Sequence, residues 1–363
     1  MKVVVRDGPG DALPLMERVH SGGLPLAEEY PLVFQPDAPG RVVVAEEEGR
    51  VLSTCAVLER VLHFPDASGV ERSLPVGLIG SVTTAEEARG RGLASAVLDR
   101  AEAELAARGC ALALLWADDP SFYERRGYRQ VGAELDFLIG HELASSLPPS
   151  GSVTSLQPGD EGALHELYSA HGRRAGRSPE ETRALLATPG MTTAVARDAA
   201  GRPDGYACLG RGHDLEGVVH EWGGDADAVL ACLRGLMAGP GAQARDLFLM
   251  APPEGGGVAD RLAELGAPVA LGVLAMARVL DPAGLAAAVA EAGGPEVHWE
   301  LASTDQVVLS GPGGVVHLRP EELLESLVPT RLEPAGVAGL ERALGVELPG
   351  LPWAPFLWGL DSI

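Results

Sequence analysis

The stretch between Ser73 and Ala117 constrains the fold more than any other part of the chain. It contains an apolar strand candidate, SLPVGLIGSVTTA, then a long helix candidate, RGRGLASAVLDRAEAELAARG, and then a second apolar strand candidate, CALALLWA. In the helix candidate, apolar residues recur at helical spacing from Leu93 to Leu105, and Gly109 supplies a C-terminal stop. A long helix that crosses over between two central strands indicates a mixed α/β protein.

The rest of the first unit fits the same pattern. Residues 10–19 are a helix candidate, and the segment around Gly49 indicates two strands joined by a turn. After CALALLWA, a short helix is predicted around PSFYERRG, followed by two further strands, YRQVG and ELDFLIG. The Pro, Ser and Gly-rich segment SSLPPSGS then forms a natural linker. We therefore place a first domain at residues 1–147.

Two further domains are predicted after the linker, because 363 residues exceed one ordinary core. Residues 148–278 repeat the order of three strands and a helix, as the segments TTAVARDAAGRPDGYACLGRG, GVVHEWG and ADAVLACLRGLMA indicate. Residues 279–363 hold a helix at 283–292, three short strands and two more helices. This third unit is expected to be a small α+β domain that packs against its neighbours.

The formal charge of −23 bears on the partners of the protein. An acidic surface repels nucleic acid and anionic membranes and attracts cationic small molecules, although it can also serve solubility alone. No apolar run approaches the roughly 20 residues that span a bilayer, and the N-terminus MKVVVRDGPG lacks the pattern of a signal peptide. We expect a cytoplasmic protein without nucleic-acid or membrane partners.

The four cysteines, Cys55, Cys110, Cys208 and Cys232, are scattered and show no CxxC spacing. This arrangement predicts no disulfide framework and no metal site, and the side chains are expected to be small buried hydrophobes. Cys110 could be imagined as a nucleophile, but no histidine lies near it in the sequence to activate it.

A glycine and arginine loop, Arg89 to Gly92, separates the first apolar strand from the long helix. Glycines let a backbone approach a ligand closely, and the free amides and dipole of a helix start favour an anion. Cations are usually unfavourable there, so Arg89 and Arg91 favour an anionic ligand over a merely solvated loop. The loop RGRGLA lacks the GxGxxG spacing of a dinucleotide-binding turn and follows several strands. We interpret it as a cradle for a pyrophosphate.

This arrangement resembles the acetyl-coenzyme A loop of the GNAT superfamily of N-acetyltransferases, whose pattern is Q/R-x-x-G-x-G/A. The segment LLWADDPSFYERRGYRQVG, residues 114–132, is similar to the second half of that fold, in which pantetheine enters a gap between splayed strands and a short helix carries FYxxxGY. More narrowly, RGRGLA, LLWADDPSFYERRGY, the degenerate second unit and the MARVLDP transition resemble the enhanced intracellular survival acetyltransferases. The resemblance implies two GNAT folds in tandem, with mixed central sheets, and a small C-terminal sterol-carrier-like domain.

The same resemblance implies site residues and assembly. The strand end would pair with pantetheine and polarise the thioester carbonyl, and the loop and helix start would hold the pyrophosphate of acetyl-coenzyme A, the acyl donor. The residues so implied are Val82, Thr83 and Thr84 on the strand, and Arg89, Gly90, Arg91, Gly92, Leu93, Ala94 and Ser95 in the loop and helix start. Asp118 and Asp119 would line the end of the second strand. The resemblance also suggests a homo-oligomer, as a trimer or hexamer.

Tyr123 is the implied general acid, since a phenol with a pKa near 10 can give its proton to a departing thiolate. Tyr123 could instead be an aromatic side chain that packs the short helix against the sheet, and for Tyr128 we prefer that packing role.

The second unit has Asp225 and Asp227 at its corresponding helix entry. Carboxylates cap a helix well, yet they would repel a pyrophosphate. Only the first unit is therefore predicted to bind coenzyme A.

The catalytic base is not evident near these motifs, because LPVGLIGSVTT lacks the glutamate that many GNAT enzymes carry on the central strand. The related enzymes place their own C-terminal carboxylate in the active site of the first domain, and this chain ends in the apolar segment PWAPFLWGLDSI. We hypothesise that the α-carboxylate of Ile363 is the base, with Asp361 as the nearby alternative. The family leads us to expect an aromatic last residue, and Trp353, Phe356 and Trp358 could instead simply seal a domain interface.

Together these features predict direct transfer of acetyl from acetyl-coenzyme A to a primary amine. Asp118, Asp119 and the acidic charge favour a cationic small molecule such as an aminoglycoside or a polyamine. The same features suit a lysine side chain of a peptide or protein. The alternative from another class is a non-catalytic protein that binds acyl-coenzyme A or a lipid.

Overall fold

The computed structural model describes residues 1–21, 24–213, 215–238, 246–253, 255–331 and 335–363. The strands are β1 (Lys2–Arg6), β2 (Arg41–Glu47), β3 (Arg50–Pro65), β4 (Glu71–Thr84), β5 (Leu112–Leu115), β6 (Arg129–Ile139), β7 (Val153–Ser155), β8 (Arg174–Ala175), β9 (Thr192–Arg197), β10 (Pro203–Leu209), β11 (Val218–Gly224), β12 (Leu247–Ala251), β13 (Val269–Val279), β14 (His298–Ser303), β15 (Gln306–Gly311) and β16 (Gly314–Leu318). The α-helices are α1 (Leu13–His20), α2 (Leu26–Glu29), α3 (Pro31–Phe34), α4 (Leu93–Ala107), α5 (Ser121–Glu124), α6 (His141–Ser146), α7 (Glu161–Ser169), α8 (Pro179–Leu186), α9 (Ala226–Ala238), α10 (Val258–Glu264), α11 (Pro282–Gly293), α12 (Pro320–Leu327) and α13 (Ala335–Leu344). Short 3₁₀ helices lie at Gly10–Ala12, Glu86–Ala88, Gly294–Glu296 and Gly359–Asp361.

One mixed sheet runs through the first two units. Its strand order is β1-β2-β3-β4-β5-β13-β6-β12-β11-β10-β9-β7, and β8 pairs with β3. The strands β4 and β5 are parallel and are joined through α4, and β11 and β12 are parallel and are joined through α9. A helix in each of these connections is the usual way to bring two strands side by side in parallel. The mixed α/β fold predicted from the crossover helix is confirmed.

The two units exchange their last strands. The strand β13 lies between β5 and β6, with Met276 opposite Leu115 and Val273 opposite Ala133. The strand β6 pairs on its other side with β12 of the second unit. The sequence suggests a central sheet for each unit, whereas the structure joins them, because each unit leaves an open strand edge that the last strand of the other completes.

One prediction of local structure is wrong: YRQVG and ELDFLIG do not form two strands but the single strand β6. Gly132 lies between the two segments and has a left-handed φ of +67°. Its amide donates to the carbonyl of Val328 at 3.1 Å. Pairing with β13 nevertheless continues on both sides, at Val131 and Ala133, so the strand is not interrupted.

The third unit holds a separate sheet with the strand order β14-β15-β16. Val307 and Leu309 of β15 are buried, while the residues of β14 are exposed. An ion pair between Arg129 of β6 and Glu321 of α12, at 3.7 Å, links this unit to the large sheet. The described part of the unit is the small α+β arrangement that the sequence predicts.

The helices of the described ranges are all too short or too polar to cross a lipid bilayer.

Candidate active site

The parallel strands β4 and β5 separate close to the motifs that the sequence singles out. Within the described residues they pair up to Leu78 opposite Leu114 and no further. Ser81 then has a φ of +49°, and the register between β4 and β3 shifts at this bulge. Bulges bend a strand and are common beside active sites. The backbone edge of residues 79–84 is therefore open on the side that faces away from β3.

Val82, Thr83 and Thr84 lie in this open stretch. On the other edge Thr83 and Thr84 pair with Thr54 and Ser53 of β3, and Val82 lies in the bulge. The Ser53 hydroxyl donates to the Thr83 carbonyl at 3.0 Å and lies 2.9 Å from Thr84 Oγ1. These contacts hold the strand end rigidly while leaving its outer edge available to an extended ligand.

The loop before α4 has the shape that an anion needs. Gly90 and Gly92 have φ of +76° and +75°, and a Cβ at either position would meet no atom within 4 Å. Gly92 is the N-cap residue of α4, and the first turn of that helix holds no acidic residue. An open loop at the start of a long helix presents free amides and a favourable dipole to a phosphate group.

The other residues implied in this loop contribute differently. Arg89 is exposed, and Arg91 forms an exposed ion pair with Glu47 at 3.0 Å, which lowers the pKa of that glutamate. The Leu93 side chain is buried, so only its backbone can face a ligand. Ala94 and Ser95 are half-buried. An incoming phosphate would compete with Glu47 for the Arg91 guanidinium.

Tyr123 lies on α5 against the core that surrounds Cys55 and Ile79. Its ring meets the rings of Phe122 and Tyr128 edge to face, with centroids 5.1 and 5.7 Å apart. Burial, and then the nearby Cys55, raise the pKa of Tyr123 above its ordinary value. The phenol is therefore protonated at neutral pH and can act as a proton donor.

Tyr128 is fully buried, and its hydroxyl donates to Glu102 Oε1 at 2.9 Å. Glu102 also pairs with Arg126 at 3.3 Å and with Arg278 of the exchanged strand β13. This polar cluster ties α4, the segment after α5 and β13 together, in line with the packing role expected for Tyr128.

Asp118 and Asp119 follow the end of β5 and are exposed. Asp119 Oδ1 accepts the amide of Ser121 at 3.0 Å, and hydrogen bonds from the hydroxyl and amide of Ser121 lower the pKa of Asp119. Asp119 therefore stays ionised, and it lies two residues before the short helix α5. Trp116, just before, is partly exposed and donates its indole N–H to the Leu274 carbonyl at 2.7 Å.

The C-terminal segment is packed between the two units. Phe356 and Trp358 are fully buried, and the ring centroids of Trp353 and Phe64 lie 6.0 Å apart. The Trp358 indole donates to the Arg173 carbonyl at 2.9 Å and lies 4.5 Å from the ring of His171. Burial lowers the pKa of His171 to about 4, so this imidazole is neutral at pH 7. The aromatic residues of the tail do form a packed interface.

The end of that segment reaches the bulged strand β4. A Cβ on Gly80 would lie 2.4 Å from the carbonyl oxygen of Ile363 and 2.6 Å from its carbonyl carbon. Gly77 and Ile79, on the other face of β4, meet α4 through Leu105 and the core around it. The carbonyl group of Ile363 therefore approaches β4 from the face opposite to α4, while Tyr123 belongs to the α4 side.

Asp361, the alternative base, is buried and engaged. The Arg177 guanidinium donates to both of its carboxylate oxygens, at 2.6 and 2.7 Å. The Tyr168 hydroxyl donates to Asp361 Oδ2 at 2.7 Å. Both oxygens of this buried carboxylate therefore already accept hydrogen bonds within the protein.

Some residues near the carboxyl end of β4 gave no signal in the sequence. His20, at the end of α1, has Nε2 2.8 Å from Thr83 Oγ1. Gly80 carries no side chain, and Arg177 and Arg211 belong to the second unit. Each of these residues makes its contacts with residues far away in the sequence, so no local motif predicts them.

The second unit has a comparable divergence between β11 and β12. These strands pair at Val218 and Val219, and beyond this point the Trp222 indole donates to the Met250 carbonyl of β12 at 2.9 Å. A cavity of about 470 Å³ lies beside it, lined partly by Asp204 and Asp225. Asp225 Oδ1 accepts the amides of residues 227 and 228 at the start of α9, at 3.0 and 3.2 Å. A carboxylate thus stands where a phosphate would have to bind.

The four cysteines are free and buried. Burial raises the pKa of Cys110 to about 11, which keeps this thiol protonated and unreactive. Across the described ranges, no three His, Cys, Asp or Glu side chains cluster closely enough to hold a metal ion.

Comparisons with known proteins bear on the fold and on the first unit. Residues 25–131 match the model of the acetyltransferase (GNAT) domain family. No curated protein matches the chain. Among solved structures, a probable N-acyltransferase of unknown function from Enterococcus faecalis covers 100% of both chains at 16% identity, with a TM-score of 0.69. A GCN5-related N-acetyltransferase from Anabaena variabilis covers 100% of both chains at 16% identity, with a TM-score of 0.65.

Eis1 from Mycobacterium abscessus is also similar in structure, at 17% identity and a TM-score of 0.63, over 98% of this chain and 99% of that one. At these identities the structural matches establish the fold, and the family model covers the segment that holds the glycine loop and Tyr123. The chain therefore carries a GNAT acetyltransferase domain within residues 25–131 and is an acyltransferase.

Proposed function

We propose that this protein transfers an acetyl group from acetyl-coenzyme A to a primary amine, with Tyr123 as the general acid and the α-carboxylate of Ile363 as the general base. The observation that carries the proposal is the contact between Ile363 and Gly80, beside the divergence of β4 and β5. A chain end is an unusual component of a buried site, since termini fray unless they are tied down.

Binding of the donor uses the first unit alone. The open edge of Val82 to Thr84 pairs with the pantetheine arm, and the amides from Gly90 to Ser95 hold the pyrophosphate, with Arg89 and Arg91 beside it. GNAT domains use acetyl-coenzyme A as the acyl donor, and this chain offers the glycine loop, the free helix start and the unpaired strand edge in one place. The carboxylate of Asp225 disfavours a second site for coenzyme A in the second unit.

The reaction is a direct displacement. The Ile363 carboxylate takes a proton from the substrate ammonium, and the freed amine attacks the thioester carbonyl, whose oxygen is polarised by a backbone N–H of the open strand edge. The new C–N bond forms as the C–S bond breaks, and the departing thiolate takes the proton of Tyr123. The attacking nitrogen then loses its second proton to solvent to give the neutral amide, and solvent returns a proton to Tyr123. The acid and the base then lie on opposite faces of β4.

The acceptor is a cationic small molecule such as an aminoglycoside or a polyamine. Asp118 and Asp119 are exposed just after the end of β5, and hydrogen bonds from Ser121 lower the pKa of Asp119. The overall charge of −23 concentrates cations near the protein. A lysine side chain of a peptide has the same ammonium group but carries a bulky chain with it.

The remaining assignments follow the family resemblance. We propose domain limits at 1–147, 148–278 and 279–363, a sterol-carrier-like third domain, a cytoplasmic location and a homo-oligomeric assembly. Gel filtration with light scattering measures the assembly directly, and a monomer would contradict it.

The test is thiol release from acetyl-coenzyme A with a panel of aminoglycosides, polyamines and lysine peptides. A semisynthetic enzyme that ends in a carboxamide at Ile363 removes the base and nothing else, and Ile363→Ala keeps the carboxylate as the matched control. We expect turnover with polyamines or aminoglycosides, a fall of about 10²-fold or more in kcat for the carboxamide, and nearly normal turnover for the control. Normal turnover of the carboxamide would exclude the base, and turnover with lysine peptides alone would exclude the proposed acceptor. Binding of coenzyme A without turnover of any amine would favour a non-catalytic binding protein.

A further inference from the structure

The last residues of the chain are held by a buried group of charged side chains that we call the Arg177 cluster: Arg177, Asp361, Glu221, Tyr168 and Tyr206. The Arg177 side chain is 0% exposed, and those of Asp361 and Glu221 are 0% and 1% exposed. Four of its members belong to the second unit, and Asp361 lies two residues before Ile363.

Every member of the cluster has a partner. The Arg177 guanidinium donates to both oxygens of Asp361, at 2.6 and 2.7 Å, and to Glu221 at 2.6 and 3.3 Å. The Tyr206 hydroxyl donates to Glu221 Oε1 at 3.0 Å, and the Tyr168 ring lies 3.9 Å beneath the guanidinium. Two-pronged contacts of this kind fix orientation as well as distance.

A second arginine holds the backbone of the same segment. Arg211 is 4% exposed and donates to the carbonyl of Gly359 at 2.7 Å and to that of Glu29 at 3.2 Å. Gly359 is pressed against His220, since a Cβ at Gly359 would lie 2.5 Å from the Cβ of that histidine. Residues 359 to 361 therefore have one possible register against the second unit.

Apolar packing alone would seal the interface. Phe356, Trp358 and Leu360 already bury their side chains completely or nearly so. Buried ion pairs often add little net stability compared with apolar residues of the same size, because their desolvation cost offsets their attraction. What the Arg177 cluster does add is a fixed position for the residues that directly precede Ile363.

We propose that the second unit serves as the frame that positions the base of the first unit, with Arg177 and Asp361 as positioning residues for the Ile363 carboxylate. This inference rests on the proposed function, since it assumes that the carboxylate is the base. It gives the second unit a role in catalysis without a ligand of its own. Proton transfer is sensitive to placement, and an error of about 1 Å can cost 10²-fold in rate.

The experiment compares Asp361→Asn with Asp160→Asn. Asp160 forms the same two-pronged pair with Arg197, at 2.7 and 3.0 Å, in the same unit but away from the tail. We expect Asp361→Asn to lower kcat by about tenfold or more while the KM for acetyl-coenzyme A changes less than about twofold. Hydrogen exchange of the amides at 359–363 should become faster in Asp361→Asn and remain unchanged in Asp160→Asn.

Two results would overturn the positioning role. One is an unchanged kcat in Asp361→Asn although its tail amides exchange freely, and the other is an equal loss of kcat in Asp160→Asn. If Asp361→Asn does not fold, Arg177→Lys replaces it, because lysine keeps the buried charge but cannot grip both oxygens. The carboxamide enzyme separates the two ideas: if it is inactive while Asp361→Asn is fully active, the base stands and the positioning role falls. If the carboxamide enzyme is fully active, the base itself is wrong.

Discussion

Ile363 rests directly on Gly80, so that a Cβ on the glycine would lie 2.4 Å from the carbonyl oxygen of the last residue. The contact joins the chain end to the bulged strand β4, just before the open edge at residues 82–84. Only a residue without a side chain leaves room for the terminal carboxylate at this place. A substitution at Gly80 can therefore displace the Ile363 carboxyl group without any change to the sequence of the tail.

Replacing Gly80 by alanine tests this relationship. The added methyl group would overlap the terminal carboxyl group and force it away, so we expect kcat to fall by about tenfold or more. The affinity for coenzyme A, measured by calorimetry, should remain within about twofold, because Gly80 faces away from α4. Gly339→Ala in α13 is the control, since a Cβ there meets no atom within 4 Å. Equal kcat values in the two variants would contradict the assigned position of the base.

Replacing Tyr123 by phenylalanine removes one hydroxyl and keeps the ring contacts. If the phenol protonates the departing thiolate, kcat should fall by about 10²-fold while acetyl-coenzyme A still binds. The raised pKa of Tyr123 keeps this acid protonated through the neutral range, so wild-type kcat should decline only above pH 10 on this account. Steady-state rates from pH 6 to 10.5 measure both effects.

The control for that variant is Tyr128→Phe. Its hydroxyl bonds to the buried Glu102 at 2.9 Å, so its loss should lower the free energy of unfolding by about 1–3 kcal/mol. Turnover per folded molecule should change little. If Tyr123→Phe behaves in the same way as Tyr128→Phe, with lower stability and normal kcat, Tyr123 is a packing residue.

The double substitution Arg89→Ala and Arg91→Ala should weaken coenzyme A binding by about 1–2 kcal/mol, which is roughly a factor of 5 to 30 in Kd. The effect should shrink at high salt, because exposed charges are screened. Arg100→Ala is the matched control, since Arg100 lies further along α4 and pairs with Glu104 at 3.1 Å. Calorimetric titrations at 50 and 500 mM salt measure the affinity for coenzyme A. Equal affinities for the double variant and the control would show that Arg89 and Arg91 do not contact the phosphates.

Glu134 gives a prediction about stability and pH. Burial, and then the neighbouring Asp136, raise the pKa of Glu134 from 4.5 to about 8. Between pH 4.5 and pH 8 the Glu134 carboxyl is protonated in the folded protein and ionised in the unfolded chain. The free energy of unfolding is therefore least affected by Glu134 below pH 4.5 and falls as the pH rises to 8. Glu134→Gln removes the cost of burying an ionised carboxylate at high pH. We expect the variant to be more stable than wild type by about 2 kcal/mol or more at pH 8.5, with little difference at pH 5.

Urea unfolding at both pH values measures this difference. Glu300→Gln on the exposed strand β14 is the control and should change stability at neither pH. A gain for Glu134→Gln of the same size at pH 5 and pH 8.5 would show that Glu134 is ionised in the folded state.

The local geometry of the proposed donor side could be predicted because its elements are neighbours in sequence. The strand, the glycine loop and the start of α4 follow one another within residues 82–95, and Tyr123 follows the next strand. Helical spacing, glycines with left-handed φ and a buried strand are properties of short segments, so they are visible without the fold. The small α+β third unit was visible for the same reason.

The acceptor side could not be derived in this way. The contacts of Ile363 with Gly80, of Asp361 with Arg177 and of Gly359 with Arg211 each join residues more than a hundred positions apart. The apolar tail did indicate that it must be buried, since removing about 150–250 Å² of one aromatic side chain from water is worth roughly 4–6 kcal/mol. The hydrophobic effect is non-directional, so it does not determine against which strand the tail packs.

The sequence by itself determined the α/β class, the glycine loop and the order of elements in each unit, because periodicity and turn chemistry act over a few residues. The tertiary structure alone decided that β6 and β13 change places, that one sheet runs through both units, and that the chain end stops at Gly80. Strand edges pair with whichever edge the folded chain brings beside them, and Asp361 meets Arg177 only when the tail packs against the second unit. Both depend on contacts that form only when distant segments are packed together.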